Sequence, residues 1–124
     1  MQFNRVRISN RSQKLFGNLN HKTGLTTNLL ARFAICFSLR DPSIPNPDAY
    51  DETGTEILPS VLFGKYEKMF MALMLQRLHR DGLDPEIYLN RMIRAHINRG
   101  AIALHPRIKD LGDFYEVIQV EKES

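Results

Sequence analysis

Thr23-Gly24-Leu25-Thr26-Thr27-Asn28-Leu29-Leu30-Ala31-Arg32-Phe33-Ala34-Ile35-Cys36-Phe37-Ser38-Leu39 is the stretch whose reading decides the fold. It opens with a helix stop and a helix start: Gly24 can take the positive φ on which helices end, and Thr26 is placed to cap the next one. Leu25 and Leu30 fall at the hydrophobic-staple positions around that cap. The helix predicted over 27–39 is interrupted only by Thr27, Asn28, Arg32 and Ser38. A helix apolar nearly all round needs cover on more than one side, and a chain of 124 residues supplies that most readily with a second subunit. The helix therefore reads as the spine of an oligomer, with Gly24, Leu29, Leu30, Phe33 and Phe37 as interface residues. Arg32, too costly to bury unpaired, belongs either against an acidic partner across an interface or on a basic face. Cys36, between Ile35 and Phe37 with no basic or histidine neighbour, reads as core and not as a nucleophile.

Working outward, Phe3-Asn4-Arg5-Val6-Arg7-Ile8-Ser9 alternates as a short strand with Arg5 and Arg7 on its outer face. Asn10 and Gln13 resemble a capping box for a first helix over about 11–21. Residues 41–59 carry four prolines and five acids and read as a solvated connector without elements of its own. Tyr66, Met69, Phe70, Leu73, Met74 and Leu78 repeat at helical spacing over 64–80, before a stop at Gly82. Asp84 and Pro85 start a fourth helix with Leu89, Met92, Ile93, His96 and Ile97 inward, Asn90, Arg91, Arg94 and Asn98 outward, and a stop at Gly100. The expected fold is mainly α: a short N-terminal strand, about four helices and an oligomeric helical core. One domain spans 1–124, divided into a basic unit (1–40), an acidic connector (41–63), a helical part (64–111) and an acidic tail (112–124).

With 43% hydrophobic and 25% charged residues and a mean hydropathy of -0.32, the chain can bury a core and lacks the composition of disorder. No apolar run is long enough to span a membrane, and the N-terminus lacks the apolar stretch of a signal peptide, so a cytoplasmic location is expected. A single cysteine excludes intrachain disulfides and multi-cysteine metal sites, and the four histidines are scattered. No metal, cofactor or catalytic residue is expected: nothing pairs a nucleophile with a base or forms a glycine-rich phosphate loop.

The net charge of +3 is unevenly spread: residues 1–40 hold seven basic residues and no carboxylate, and 41–64 hold five acids and no base. Such a basic block serves either as a phosphate surface or as a solvated face. Arg5, Arg7, Arg11 and Lys14 could follow a nucleic-acid backbone. Lys22 and the amides near Thr26 form either an anion site on the positive end of the helix dipole or an ordinary capped junction.

The strand, the helix, the Thr23-Gly24-Leu25-Thr26 junction and the helix opened by Asn28-Leu29-Leu30-Ala31-Arg32-Phe33-Ala34 resemble a ribbon-helix-helix unit, in which strands of two chains pair. The whole chain resembles the DndE family of the bacterial DNA phosphorothioation system. The resemblance is carried by residues 3–9 and 23–30, Pro45-Asn46-Pro47-Asp48, Tyr50-Asp51, Leu78-His79-Arg80-Asp81-Gly82-Leu83 and Arg94-Ala95-His96-Ile97-Asn98-Arg99-Gly100. It implies a non-catalytic subunit working with other proteins of a machine that replaces a non-bridging phosphate oxygen by sulfur. It also implies a homotetramer that binds duplex DNA, nicked duplex preferentially. With it counted, phosphate contact by Arg5, Arg7, Arg11, Lys14, Lys22 and Thr26 is the favoured reading. The alternatives are a sequence-specific ribbon-helix-helix repressor and an assembly protein that binds acidic partners.

Overall fold

Phe3, Val6 and Ile8 alternate into the interior, which holds the N-terminal segment extended. In the computed structural model, which describes residues 1–109, these three are buried while Asn4, Arg5 and Arg7 face out. β1 (Val6–Arg7) pairs antiparallel with β2 (Glu56–Ile57), Val6 opposite Ile57 and Arg7 opposite Glu56. The Ile8 amide donates to the Thr55 carbonyl at 3.1 Å, and the Gly54 amide donates to the Ile8 carbonyl at 2.9 Å. The Asn4 and Ser9 amides, flanking the strand, donate to the side chains of Asn90 and Asn98, at 2.7 and 3.0 Å. The strand thus finds a partner in its own chain. The segment 41–59, expected to hold no element, supplies that partner and also a single helical turn at Pro47–Ala49. Its prolines mark the turns correctly, but a two-residue strand is too short to show periodicity.

α1 (Asn10–Thr23) is capped by Ser9, whose hydroxyl accepts from the Ser12 amide at 3.0 Å; Asn10, expected as the cap, is the first helical residue. Gly24 closes the helix at φ 76, its amide donating to the Asn20 carbonyl at 2.7 Å. That conformation costs a non-glycine residue about 1–2 kcal/mol. α2 (Thr27–Leu39) has the predicted bounds, and the Thr26 hydroxyl accepts from the Leu29 amide at 3.4 Å. Leu30, Ala31, Ala34, Ile35 and Ser38 form its buried face, while Leu29, Phe33 and Phe37 are half-buried. Leu30, expected at a subunit interface, lies wholly in the chain's own core and offers no surface to a partner. Cys36, expected in the core, is exposed, because it lies on the opposite side of the helix from Ala34 and Leu30.

A short helix, α3 (Pro59–Phe63), and one turn at Gly64–Tyr66 precede α4 (Glu67–Asp81), which Gly82 terminates at φ 72. Phe70, Met74 and Leu78 face inward; Tyr66 and Met69 are exposed. Phe3, Phe63 and Phe70 form a row with centroids 4.5 and 4.8 Å apart, which ties the N-terminal segment to α3 and α4.

α5 (Pro85–Leu104) starts as predicted, with Asp84 accepting from the Glu86 amide at 3.0 Å and Pro85 in the first turn, but runs through Gly100. Every residue from Met92 to Asn98 is buried, so the helix enclosed on all sides is α5 and not α2. Arg94 and Asn98, expected on its outer face, are therefore inside. Gly100 is required by proximity: a Cβ there would lie 1.9 Å from the Ala34 carbonyl oxygen. His96 is fully buried, its Nδ1 2.8 Å from the Ser38 hydroxyl, and burial pushes its pKa down from 6.5 to about 3.

Two outcomes follow for stability. Gly100→Ala, favourable in an open helix, should here cost about 1–3 kcal/mol by overpacking, read from the urea midpoint; a gain in stability would contradict the close α2–α5 crossing. His96 binds its proton more readily in the unfolded chain, so stability present above pH 6.5 should fall as pH drops towards 3, by up to about 1.4 kcal/mol per pH unit. His105, lowered by burial and by Lys22, acts in the same direction. The His96 share is the part of the slope that His96→Gln removes between pH 6.5 and 4.

Candidate nucleic-acid interface

On α1, the side that buries Ser12, Phe16, Leu19 and Thr23 leaves Arg11, Lys14, Asn18 and Lys22 aligned on the exposed side. No acidic residue lies in the first turn. Among the described residues Arg11, Lys14 and Lys22 form no ion pair. Thr26, exposed, stands one turn beyond Lys22 at the start of α2, whose first turn is also free of acids. The turn His105–Arg107 extends this surface: His105 Nε2 lies 2.9 Å from Asn18 Oδ1, and the Arg107 guanidinium sits over the Phe37 ring at 5.2 Å.

Arg5 and Arg7 are placed apart from that stripe. Arg5 is 3.6 Å from Glu56, and Arg7 donates to the Gly54 carbonyl at 3.1 Å. They line a separate cleft with Asp48, Glu52 and Arg91. Of the six predicted phosphate-contacting residues, then, Arg11, Lys14, Lys22 and Thr26 fall along one surface and Arg5 and Arg7 on another. Arg91 in the cleft and His105 beside the stripe stand next to these residues; in the sequence Arg91 reads only as part of an outer helix face.

The connector carboxylates are engaged and do not form a free acidic face. Asp41 is 3.7 Å from Arg99 and accepts from the Ser43 amide and hydroxyl at 2.9 and 2.7 Å, which holds its carboxyl below the usual range. Asp48 faces Arg91 at 3.3 Å, and Glu52 faces Arg94 at 3.2 Å. Asp51 accepts from the Thr53 hydroxyl at 2.6 Å, the Asn10 amide at 2.9 Å and the Thr53 amide at 3.1 Å, which pull its pKa to about 2.

Several arginines are structural. Arg94 donates to the carbonyls of Tyr50, Pro47 and Asp51 at 2.9, 3.1 and 3.2 Å. Arg77 reaches Ser43, Asp41 and Leu39 carbonyls at 2.7, 2.8 and 2.9 Å and pairs with Asp81 at 2.8 Å. Arg99 donates to the Ser38 hydroxyl and to the Ser38 and Ser43 carbonyls, each at 2.8 Å. Arg32 takes neither of its two expected places: it donates to the Leu62 and Val61 carbonyls at the end of α3 and lies over the Tyr66 ring. Although Cys36 is exposed as a residue, the neighbouring apolar chains partly desolvate its thiol and raise its pKa, the reverse of what a thiolate nucleophile requires. No helix among the described residues is long and apolar enough to cross a membrane.

The family model for DNA sulphur modification protein DndE matches residues 5–110. Two solved structures share the fold. One is DndE from Escherichia coli B7A, involved in DNA phosphorothioation modification: 23% identical, TM-score 0.67, covering 84% of this chain and 98% of that one. The other is a DndE mutant involved in DNA phosphorothioation: 20% identical, TM-score 0.65, covering 84% and 99%. No curated protein matches the sequence.

The two arginines at the cleft should separate cleanly by stability. Arg94→Ala leaves three carbonyls and Glu52 without their donor and should cost roughly 2–4 kcal/mol, with faster proteolysis at 47–52. Arg91→Ala, which breaks one exposed pair, should stay within about 0.5 kcal/mol. Equal losses would show that Arg94 does not hold the connector.

Proposed function

The chain belongs to the DndE family, whose members take part in DNA phosphorothioation, and from that premise we propose that it is a non-catalytic subunit that holds duplex DNA for the partner enzymes of the system. The observation that carries the reading is the α1 stripe of Arg11, Lys14 and Lys22, exposed and without carboxylate partners among the described residues. Phosphates are its natural counter-charges: contacts spaced along one helix suit a backbone, and no base readout is required. Thr26 and the first turn of α2 extend it, and Arg5 and Arg7 form a flanking contact weakened by Glu56 and Gly54. The repressor alternative loses weight because β1 already pairs with β2 in its own chain.

Assembly is part of the proposal. α2 buries one side in its own chain and leaves Leu29 half-buried and Cys36 exposed on the other, with Gly24 exposed at the junction before the helix. That remaining apolar face suits a second copy, and the assembly is proposed to be a tetramer in the cytoplasm. Several basic stripes in one particle favour nicked duplex, because a nick lifts the elastic cost of bending, about 1–6 kcal/mol for 40–90°, while phosphate contacts accrue on both arms.

Replacing Arg11, Lys14 or Lys22 singly by alanine should weaken binding to every duplex sequence alike and make the salt slope shallower by about one unit per lost contact. Nicked duplex should compete better than intact duplex by about one to two orders of magnitude. Gly24→Lys or Leu29→Glu should loosen the assembly in light scattering and shrink that advantage. Stripe variants with unchanged affinity would displace the DNA from α1, and a native monomer would refute the assembly.

A further inference from the structure

We propose that the cleft lined by Arg5, Arg7, Arg91 and Arg94 is a site for a single phosphate monoester, and that its occupant is the terminal phosphate of a cut DNA strand. The choice of DNA as the source of that phosphate rests on the reading of the chain as a duplex-holding subunit; the chemistry of the cleft does not. Arg5 and Arg7 come from the N-terminal strand segment, Arg91 and Arg94 from α5, and Asp48 and Glu52 of the connector complete the charged lining.

Four guanidinium groups against two carboxylates leave the cleft with an excess of positive charge. Two of the four are held in place by the protein itself. Arg94, its side chain only 11% exposed, commits Nη1 and Nη2 to the carbonyls of Asp51, Pro47 and Tyr50, so Nε is the donor it turns to Glu52 at 3.2 Å. Arg7 is held by the Gly54 carbonyl at 3.1 Å. Arg5 and Arg91 make looser, exposed pairs with Glu56 and Asp48, at 3.6 and 3.3 Å. Asp48 and Glu52 are 81% and 69% exposed, so both turn out to solvent at the small cost of an exposed pair when a stronger anion enters. The Tyr88 ring, 5.5 Å from the Arg91 guanidinium, limits where that side chain goes once Asp48 leaves it.

Each of these carboxylates meets one arginine. A phosphate monoester carries about −1.5 to −2 charge and three strong acceptor oxygens, so it accepts from the strand side and from α5 at once, in the forked geometry that guanidinium groups offer. A diester inside a continuous strand carries a single charge and gains less by displacing both carboxylates. Volume points the same way: the cleft holds about 210 Å³, below the roughly 300–1,000 Å³ of pockets that enclose a whole small ligand. That size suits one group at the end of a larger molecule.

The test uses one duplex sequence in four forms: intact, and nicked at one position with a 5′-phosphate, a 3′-phosphate or hydroxyls at both cut ends. A phosphate-bearing nick should bind about tenfold more tightly than the hydroxyl nick, and Arg91→Gln should remove most of that difference. Asp48→Asn with Glu52→Gln, which frees the arginines, should enlarge it, and this variant serves if Arg91→Gln fails to fold. Lys14→Gln on α1 should weaken all four forms by a common factor and leave the ratio unchanged. Without duplex, a 5′-phosphorylated dinucleotide should shift the backbone amide resonances of 5–7, 48–52 and 90–94, and the same dinucleotide lacking the phosphate should not. Absent shifts, or equal shifts with both dinucleotides, overturn the site. Cleft shifts together with equal affinities for the three nicked duplexes overturn the strand end as occupant and assign the cleft to a free phosphate compound, which inorganic phosphate added alone then mimics. If the cleft shifts appear and no duplex binds, the site stands and the duplex-holding reading fails; duplex binding without cleft shifts has the opposite meaning.

Discussion

Three arginines hold the middle of this chain in place by donating to its backbone carbonyls. Arg77 and Arg99 converge on residues 38–43, and Arg94 on 47–51. A proline-rich segment cannot satisfy many of its own backbone acceptors by helix or sheet, and five-donor guanidinium groups can meet two or three of them at once. Once anchored, the segment delivers β2 to β1, Asp51 to the first amide of α1, and α3 to the carbonyl-facing Arg32. The arginines can do this because α4 and α5 are anchored by their apolar faces, and α5 can lie close to α2 because Gly100 has no side chain to meet Ala34.

Signals confined to one turn were legible in the sequence. The bounds of α2, the Thr26 cap, the positive φ at Gly24 and the Asp84-Pro85 start each depend on residues three or four apart, and each is found where the pattern puts it. The failures are long-range. Arg94 and Asn98 looked like an outer face because hydropathy assigns charged and amide side chains to water, whereas their partners lie 40 or more residues away. Gly100 looked like a stop because glycine is a common one, and only the approach of Ala34 reveals its role. The cap falls on Ser9, one residue before Asn10, and the Asn10 amide is met by Asp51, distant in sequence. The candidate site follows the same division: the α1 stripe is a local periodicity, but which cations remain available depends on the distant acids.

Those acids explain why the basic third keeps its field. Asp41, Asp48, Glu52 and Glu56 meet Arg99, Arg91, Arg94 and Arg5, and Asp51 is held by amides and a hydroxyl. Exposed pairs of this kind add little stability, but they fix where negative charge sits. Each of the four ion pairs is made with α5 or with Arg5, the residue before β1, and none with Arg11, Lys14 or Lys22. Net charge alone, +3, therefore understates the local potential at α1: the connector's carboxylates offset cations of the cleft and the interior, and those of α1 face solvent. A phosphate approaching α1 meets three cations, and the Asp51 carboxylate at the start of that helix is already engaged by the Asn10 amide and by the amide and hydroxyl of Thr53. The order imposed by the buried arginines is thus what separates the two signs of charge, and a chain with the same composition and a loose connector would present a weaker, self-screened surface.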